Sequence, residues 1–210
     1  MSTIGKFIDI VLHIDKYLGG IIAQYGGWTY ALLFLIIFAE TGFVFTPFLP
    51  GDSLLFAVGA FAAQGYLNIV IIFLLLALAA ILGDTVNYWM GYHIGKKLLV
   101  KIRPGYIEKT QQFYDKHGKK TIILARFVPI VRTFAPFVAG IAKMQYSTFL
   151  FYNILGGIVW VGLFVWGGYF FGNIAFVQEH FGAFIIGIIL LSFVPIIIEL
   201  IKHRMKKNVI

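Results

Sequence analysis

The chain has 210 residues, of which 60% are hydrophobic and only 12% charged, and its mean hydropathy is +0.89. So few charged side chains cannot clothe the exterior of a soluble globule, so the exterior is expected to be apolar and its solvent lipid, which excludes soluble enzymes and disordered chains. Cysteine is absent, which removes disulfides, thiolate nucleophiles and Cys-ligated metal sites. The formal net charge is +8, yet 12 of the 17 Lys and Arg fall in two stretches, eight between Lys96 and Lys120 and four between Lys202 and Lys207. Such clusters are expected of cytoplasmic loops rather than of a nucleic-acid surface.

Residues 1–27 do not read as a cleaved signal, because Asp9, Asp15 and Lys16 interrupt the apolar run. Ile4, Phe7, Ile8, Val11, Leu12, Ile14 and Leu18 recur near helical spacing, as in an amphipathic helix lying on the membrane surface. The alternative is the raised start of the first membrane helix. From Trp28 the chain is apolar to Glu40 and then carries Gly42, Pro47, Pro50, Gly51 and Asp52 before a second apolar run. Each proline removes a backbone donor and Gly-Asp after Pro favours a turn, so a re-entrant hairpin is expected at about 41–65. Leu67–Tyr92 is long enough for one span, with Asp84, Asn87, Tyr88 and Gly91 on one face near its end.

The basic segment at about 93–120 follows, and then residues 121–142, which Arg126, Pro129, Arg132, Pro136 and Gly140 interrupt. This is expected to be a second re-entrant hairpin. Tyr146–Gly172 and Phe181–Ile201 read as plain spans, and 202–210 as a basic cytoplasmic tail. Keeping both basic clusters in the cytoplasm requires an even number of crossings between them, which holds if 121–142 dips in and returns. The first hairpin then enters from the outside and the two face each other, with both termini cytoplasmic.

An internal repeat supports this: Phe48-Leu49-Pro50 recurs as Phe127-Val128-Pro129, and Gly91-Tyr92-x-x-Gly95 as Gly168-Tyr169-x-x-Gly172. The fold expected is an all-α integral membrane protein, an inverted repeat of re-entrant hairpin plus transmembrane helix within a membrane domain spanning 28–201, with flanking membrane helices.

Five ionisable residues lie in apolar segments, where each costs a few kcal/mol unless it faces a partner, water or substrate: Glu40, Asp52, Asp84, Arg126 and Arg132. The carboxylates are candidate proton or transport groups, and the arginines candidates for binding a lipid phosphate, because a guanidinium meets phosphate oxygens two at a time and keeps its charge. They serve equally as buried ion pairs that only fix the hairpins together. Trp28, Trp89, Trp160 and Trp166 read as interface or packing residues. Gly156-Gly157 and Gly167-Gly168 allow close helix approach, within one chain or in a homo-oligomer. The five histidines are scattered singly, so no metal and no cofactor are expected. Lys96 followed at the right spacing by Arg103-Pro104 matches the first signature of membrane lipid phosphatases, but the serine and histidine motifs that complete it are missing, and no enzymatic activity is expected.

Phe38-Ala39-Glu40-Thr41-Gly42, Pro47-Phe48-Leu49-Pro50-Gly51-Asp52, Gly83-Asp84-x-x-Asn87-Tyr88 and the run Arg126-Phe127-Val128-Pro129 through Arg132 to Gly140 resemble the bacterial DedA family of VTT-domain, SNARE-associated-like membrane proteins. The resemblance covers nearly the whole chain. It implies a bacterial inner-membrane protein with two opposed re-entrant hairpins and a role in moving phospholipid or undecaprenyl phosphate, linked to protons and to envelope homeostasis. It also implies that Glu40, Asp52, Arg126 and Arg132 are the functional positions. The expected function is therefore a lipid flippase or scramblase, with a proton-coupled antiporter of small cations or drugs, and a non-transporting scaffold, as alternatives.

Overall fold

A computed structural model describes residues 19–20, 22, 24–43, 51–95, 121–127, 129–179, 183–184 and 186–187. Among these, all regular structure is helical: α1 (Trp28–Gly42), α2 (Gly51–Ala63), α3 (Ile69–Met90) running into a π-helical turn (Gly91–Gly95), α4 (Thr121–Ala125), α5 (Pro129–Ile141), α6 (Tyr146–Phe171) and α7 (Ala175–Glu179). The expected surface helix before residue 19, Pro47 and Pro50, the basic segment 96–120 and nearly all of the last expected span lie outside the described residues.

Among the described residues two helices are long and apolar enough to cross a membrane, Ile69–Ile94 and Tyr146–Phe171, close to the two spans expected there. Asn68 sets the start of the first: its side-chain oxygen accepts from the backbone N–H of Val70 and Ile71 at 3.0 and 3.1 Å. Both helices turn an apolar face outward. Val70, Leu74, Leu78, Leu82 and Val86 form an exposed stripe along α3, and Phe151, Ile154, Ile158 and Leu163 do so along α6. Polar and charged side chains lie inside instead, an arrangement suited to lipid as solvent.

The shorter helices pack on this pair crosswise. α1 and α4 lie against α3 and α6 respectively, the long helix that follows each, whereas α2 lies on α6 and α5 on α3. The start of α1 is tied to the start of α3, where the Asn68 N–H donates to the Tyr30 hydroxyl at 2.8 Å, and its end meets α3 where Gly42 approaches Gly83. α1 and α3 therefore run in the same direction, and α2, lying on α6, runs the opposite way. The second broken segment breaks at Arg126 and Phe127, and Pro129 opens α5, a position where its missing donor costs no intrahelical bond.

Backbone contact through glycine holds both crossed packings. A Cβ on Gly59 of α2 would collide with the Val165 carbonyl oxygen and stand 2.9 Å from the Tyr169 nitrogen on α6. A Cβ on Gly140 of α5 would collide with the Tyr88 carbonyl on α3 and stand 2.7 Å from the Tyr92 nitrogen in the π-helical turn that continues it. In return Gly168 abuts the Phe56 carbonyl and Gly91 the Phe137 carbonyl. Gly59 and Phe56 lie 81 residues before Gly140 and Phe137, and Gly91 and Tyr92 lie 77 before Gly168 and Tyr169, so one contact is made twice. Small residues let helix backbones touch where no hydrophobic force draws them together. Gly59→Leu and Gly140→Leu should each lower the thermal unfolding midpoint in detergent by many degrees, whereas Gly167→Ala, which meets nothing within 4 Å, should leave it in place. Equal midpoints for all three would contradict the packing described.

Candidate functional site

All five ionisable residues expected to matter are buried, and they form two ion-paired groups. Arg132, in the first turn of α5, donates from Nη2 to Glu40 Oε1 at 2.5 Å and from Nη1 to Asp52 Oδ1 at 2.7 Å. Glu40 comes from the last turn of α1 and Asp52 from the first turn of α2, so one guanidinium gathers three helices. Trp160 of α6 completes the group: its indole N–H donates to the same Asp52 oxygen at 2.9 Å, and its ring lies 4.7 Å from the Arg132 guanidinium carbon.

Gly51, expected to shape the first hairpin, has a more specific part. Its N–H donates to Glu40 Oε1 at 3.2 Å, and any Cβ there would occupy the space of the Glu40 carboxylate. The amino-terminal end of α2 is favourable for negative charge, and it receives both Glu40 and its own Asp52.

Arg126, in the turn after α4, forms the second group with Asp84 of α3 and the side-chain oxygen of Asn153 on α6. Asn153 is held by its other end, its Nδ2 donating to the Ile81 carbonyl at 3.0 Å. Gly156 and Gly157 provide the space: a Cβ on Gly156 would stand 2.9 Å from Arg126 Cδ, and one on Gly157 3.0 Å from Ile81. This glycine pair thus faces inward, toward the arginine. Asp84 Oδ1 and Arg126 Nε and Nη1 find no hydrogen-bond partner among the described residues, so this group retains polar capacity.

Asn87 links the two broken segments. Its Nδ2 donates to the carbonyls of Thr41, at the end of α1, at 3.2 Å and of Thr133, in α5, at 2.7 Å. Of the remaining expected residues, Pro136 is buried within α5 and Gly140 makes the close contact with α3. No sequence motif singles out Asn153, and Trp160 reads in the sequence, with three other tryptophans, as an interface or packing residue. A lone amide within an otherwise apolar span was the available signal for Asn153.

Chemically, the site offers two guanidiniums suited to an anion and three carboxylates suited to protons or cations, all screened from water. Among the described residues no group of three His, Asp or Glu has metal-binding geometry.

The VTT domain model matches residues 49–170. The chain is 53% identical to protein DedA of Escherichia coli K12 over 97% of its own length and 96% of that protein. It is 42% identical to an uncharacterized membrane protein of Mycobacterium leprae, covering 78% of this chain and 76% of that one, and 35% identical to the inner membrane protein YqjA of Escherichia coli K12, covering 70% and 69%. No solved structure matches the chain. These likenesses establish a membrane protein.

Removing one member of a buried ion pair strands the other, at a cost of about 3–5 kcal/mol, whereas removing both is far cheaper. Arg126→Met should therefore lower the thermal unfolding midpoint strongly, and Asp84→Asn added to it should recover most of the loss. Additive losses in the double variant would show that the pair does not act as one unit.

Proposed function

This chain belongs to the DedA family of VTT-domain membrane proteins, and on that premise we propose that it is a proton-linked lipid translocase of the bacterial cytoplasmic membrane, moving a phospholipid or a polyprenyl phosphate. It carries out no bond-making chemistry. The observation that carries this reading is Arg132, a buried phosphate-competent guanidinium held by two carboxylates from separate helices.

The path in this reading is built from two opposed hairpins. α1 and α2 are the arms of the first and α4 and α5 of the second. Helices of 15 and 13 residues, about 22 and 20 Å long, fall short of a hydrocarbon core of about 30 Å, as hairpin arms should. The first hairpin then starts at Trp28 rather than near residue 41. The directions of α1, α2 and α3 and the duplicated glycine contacts support an inverted repeat. With 96–120 and 202–210 in the cytoplasm, the first hairpin opens outward and the second inward.

Arg132 cannot serve a phosphate while both carboxylates hold it. Protonation of Glu40 or Asp52 weakens its grip and frees part of the guanidinium fork, so a phosphate headgroup and a proton enter together. Loss of the proton restores the carboxylate, which displaces the phosphate. Arg126, with Nε and Nη1 unpartnered among the described residues, supplies the second anion station, and Asp84 restrains it.

A second reading has its own observation. Among the described residues three carboxylates face two guanidiniums in the buried site, an excess of one negative charge when all are ionised, which suits a proton-coupled antiporter of small cations. Competition by soluble cations and activity retained in Arg132→Lys favour that alternative.

The deciding experiment follows a fluorescent phospholipid and a labelled polyprenyl phosphate in proteoliposomes, with and without a pH gradient. Wild type should move at least one of them, and Arg126→Ala and Glu40→Gln should each slow it by about ten- to a hundredfold, the scale of one charge-assisted hydrogen bond. Normal transport by both variants overturns the mechanism.

A further inference from the structure

We propose that Trp160 is a positioning residue of the Arg132 site, acting through Asp52, an inference that rests on the translocase reading for its functional consequence. The other tryptophans behave differently. Trp28 is 77% exposed and Trp89 41%, near helix ends, as side chains of the membrane interface are, and Trp166 packs among the aromatic rings of Phe73, Tyr169 and Phe170. Trp160 sits midway along α6 and is wholly buried. A buried indole N–H needs an acceptor, and this one takes Asp52 Oδ1, the atom that also accepts from Arg132 Nη1.

The consequence is a three-sided clamp. Asp52 is pinned between a guanidinium and an indole, and the guanidinium lies between two carboxylates with the indole ring 4.7 Å from its carbon. Rotation of Asp52 away from Arg132 must break the indole bond as well, so Trp160 raises the barrier to releasing Arg132 and aims it on its return. A residue that only filled space here would act independently of the state of Asp52, because a lost volume costs the same whatever Asp52 carries.

Trp160→Phe keeps an aromatic ring beside Arg132 and removes the N–H together with part of the indole's volume. In proteoliposomes it should change the translocation rate about tenfold. In the Asp52→Asn background the same substitution should change nothing further, because the group it acts through is already altered. Effects that multiply in the double variant overturn the proposal. A second measurement does not depend on transport. In protein labelled with 15N at the indole nitrogens, the Trp160 resonance is the one missing from Trp160→Phe. Asp52→Asn should move it while those of Trp28 and Trp89 stay in place. An unmoved Trp160 resonance overturns the proposal whatever the vesicles do, whereas wild-type protein that moves no lipid overturns the translocase reading alone.

Discussion

The structure depends on the cost of keeping Arg132 charged inside an apolar protein. A guanidinium stripped of water is costly unless its donors are met, and here Glu40 and Asp52 meet them from the facing ends of α1 and α2. Neither carboxylate can be supplied unless the chain reverses between residues 42 and 51, nor can the arginine unless it breaks near residue 127. The broken helices and the buried charges are thus one feature. Each helix break exposes backbone groups that only a polar interior can satisfy, and Asn87 does so at the first, binding the carbonyl of Thr41 at the end of α1, while its second bond ties it to Thr133 within α5.

Around this polar centre the packing is small and close. Glycines at 59, 140, 91 and 168 bring backbones into contact, and those at 51 and 156 leave room for a carboxylate and a guanidinium. Exposed leucine, isoleucine and valine face outward, where lipid is as good a solvent as another helix, so shape rather than hydrophobic burial selects the arrangement. A site of this kind can be rigid in its frame and still exchange partners at its centre. The helices are held by backbone contact, and in the proposed mechanism the ion pairs are redistributed by a proton or an anion.

Much of this was legible in the sequence. The five ionisable residues stood out because charge is rare in apolar segments, the two long spans because they are uninterrupted, and the repeat because Gly-Tyr-x-x-Gly occurs twice. Which acid meets which arginine was not legible, because Arg132 and Glu40 are 92 residues apart and Arg126 and Asp84 are 42 apart, and no local pattern encodes such pairing. The length of the first hairpin arm in the proposed reading, from Trp28 where the sequence pattern alone marks about 41–65, has a related reason. The prolines marked the turn, while the length of the arm was set by α1 packing along α3. Trp160 was hidden by its type, since an indole fills space and donates a hydrogen bond with equal ease. Gly51 was seen as a turn residue, yet the reason for glycine there is the carboxylate of Glu40.

The central claim is that Arg132 exchanges a carboxylate for a phosphate only when a proton is taken up. Proton uptake on adding a polyprenyl phosphate to purified protein in weakly buffered detergent tests it most directly. The account predicts uptake of about one proton per lipid bound, abolished in Glu40→Gln/Asp52→Asn protein that still binds the lipid. Binding by the wild type with no proton uptake would contradict it.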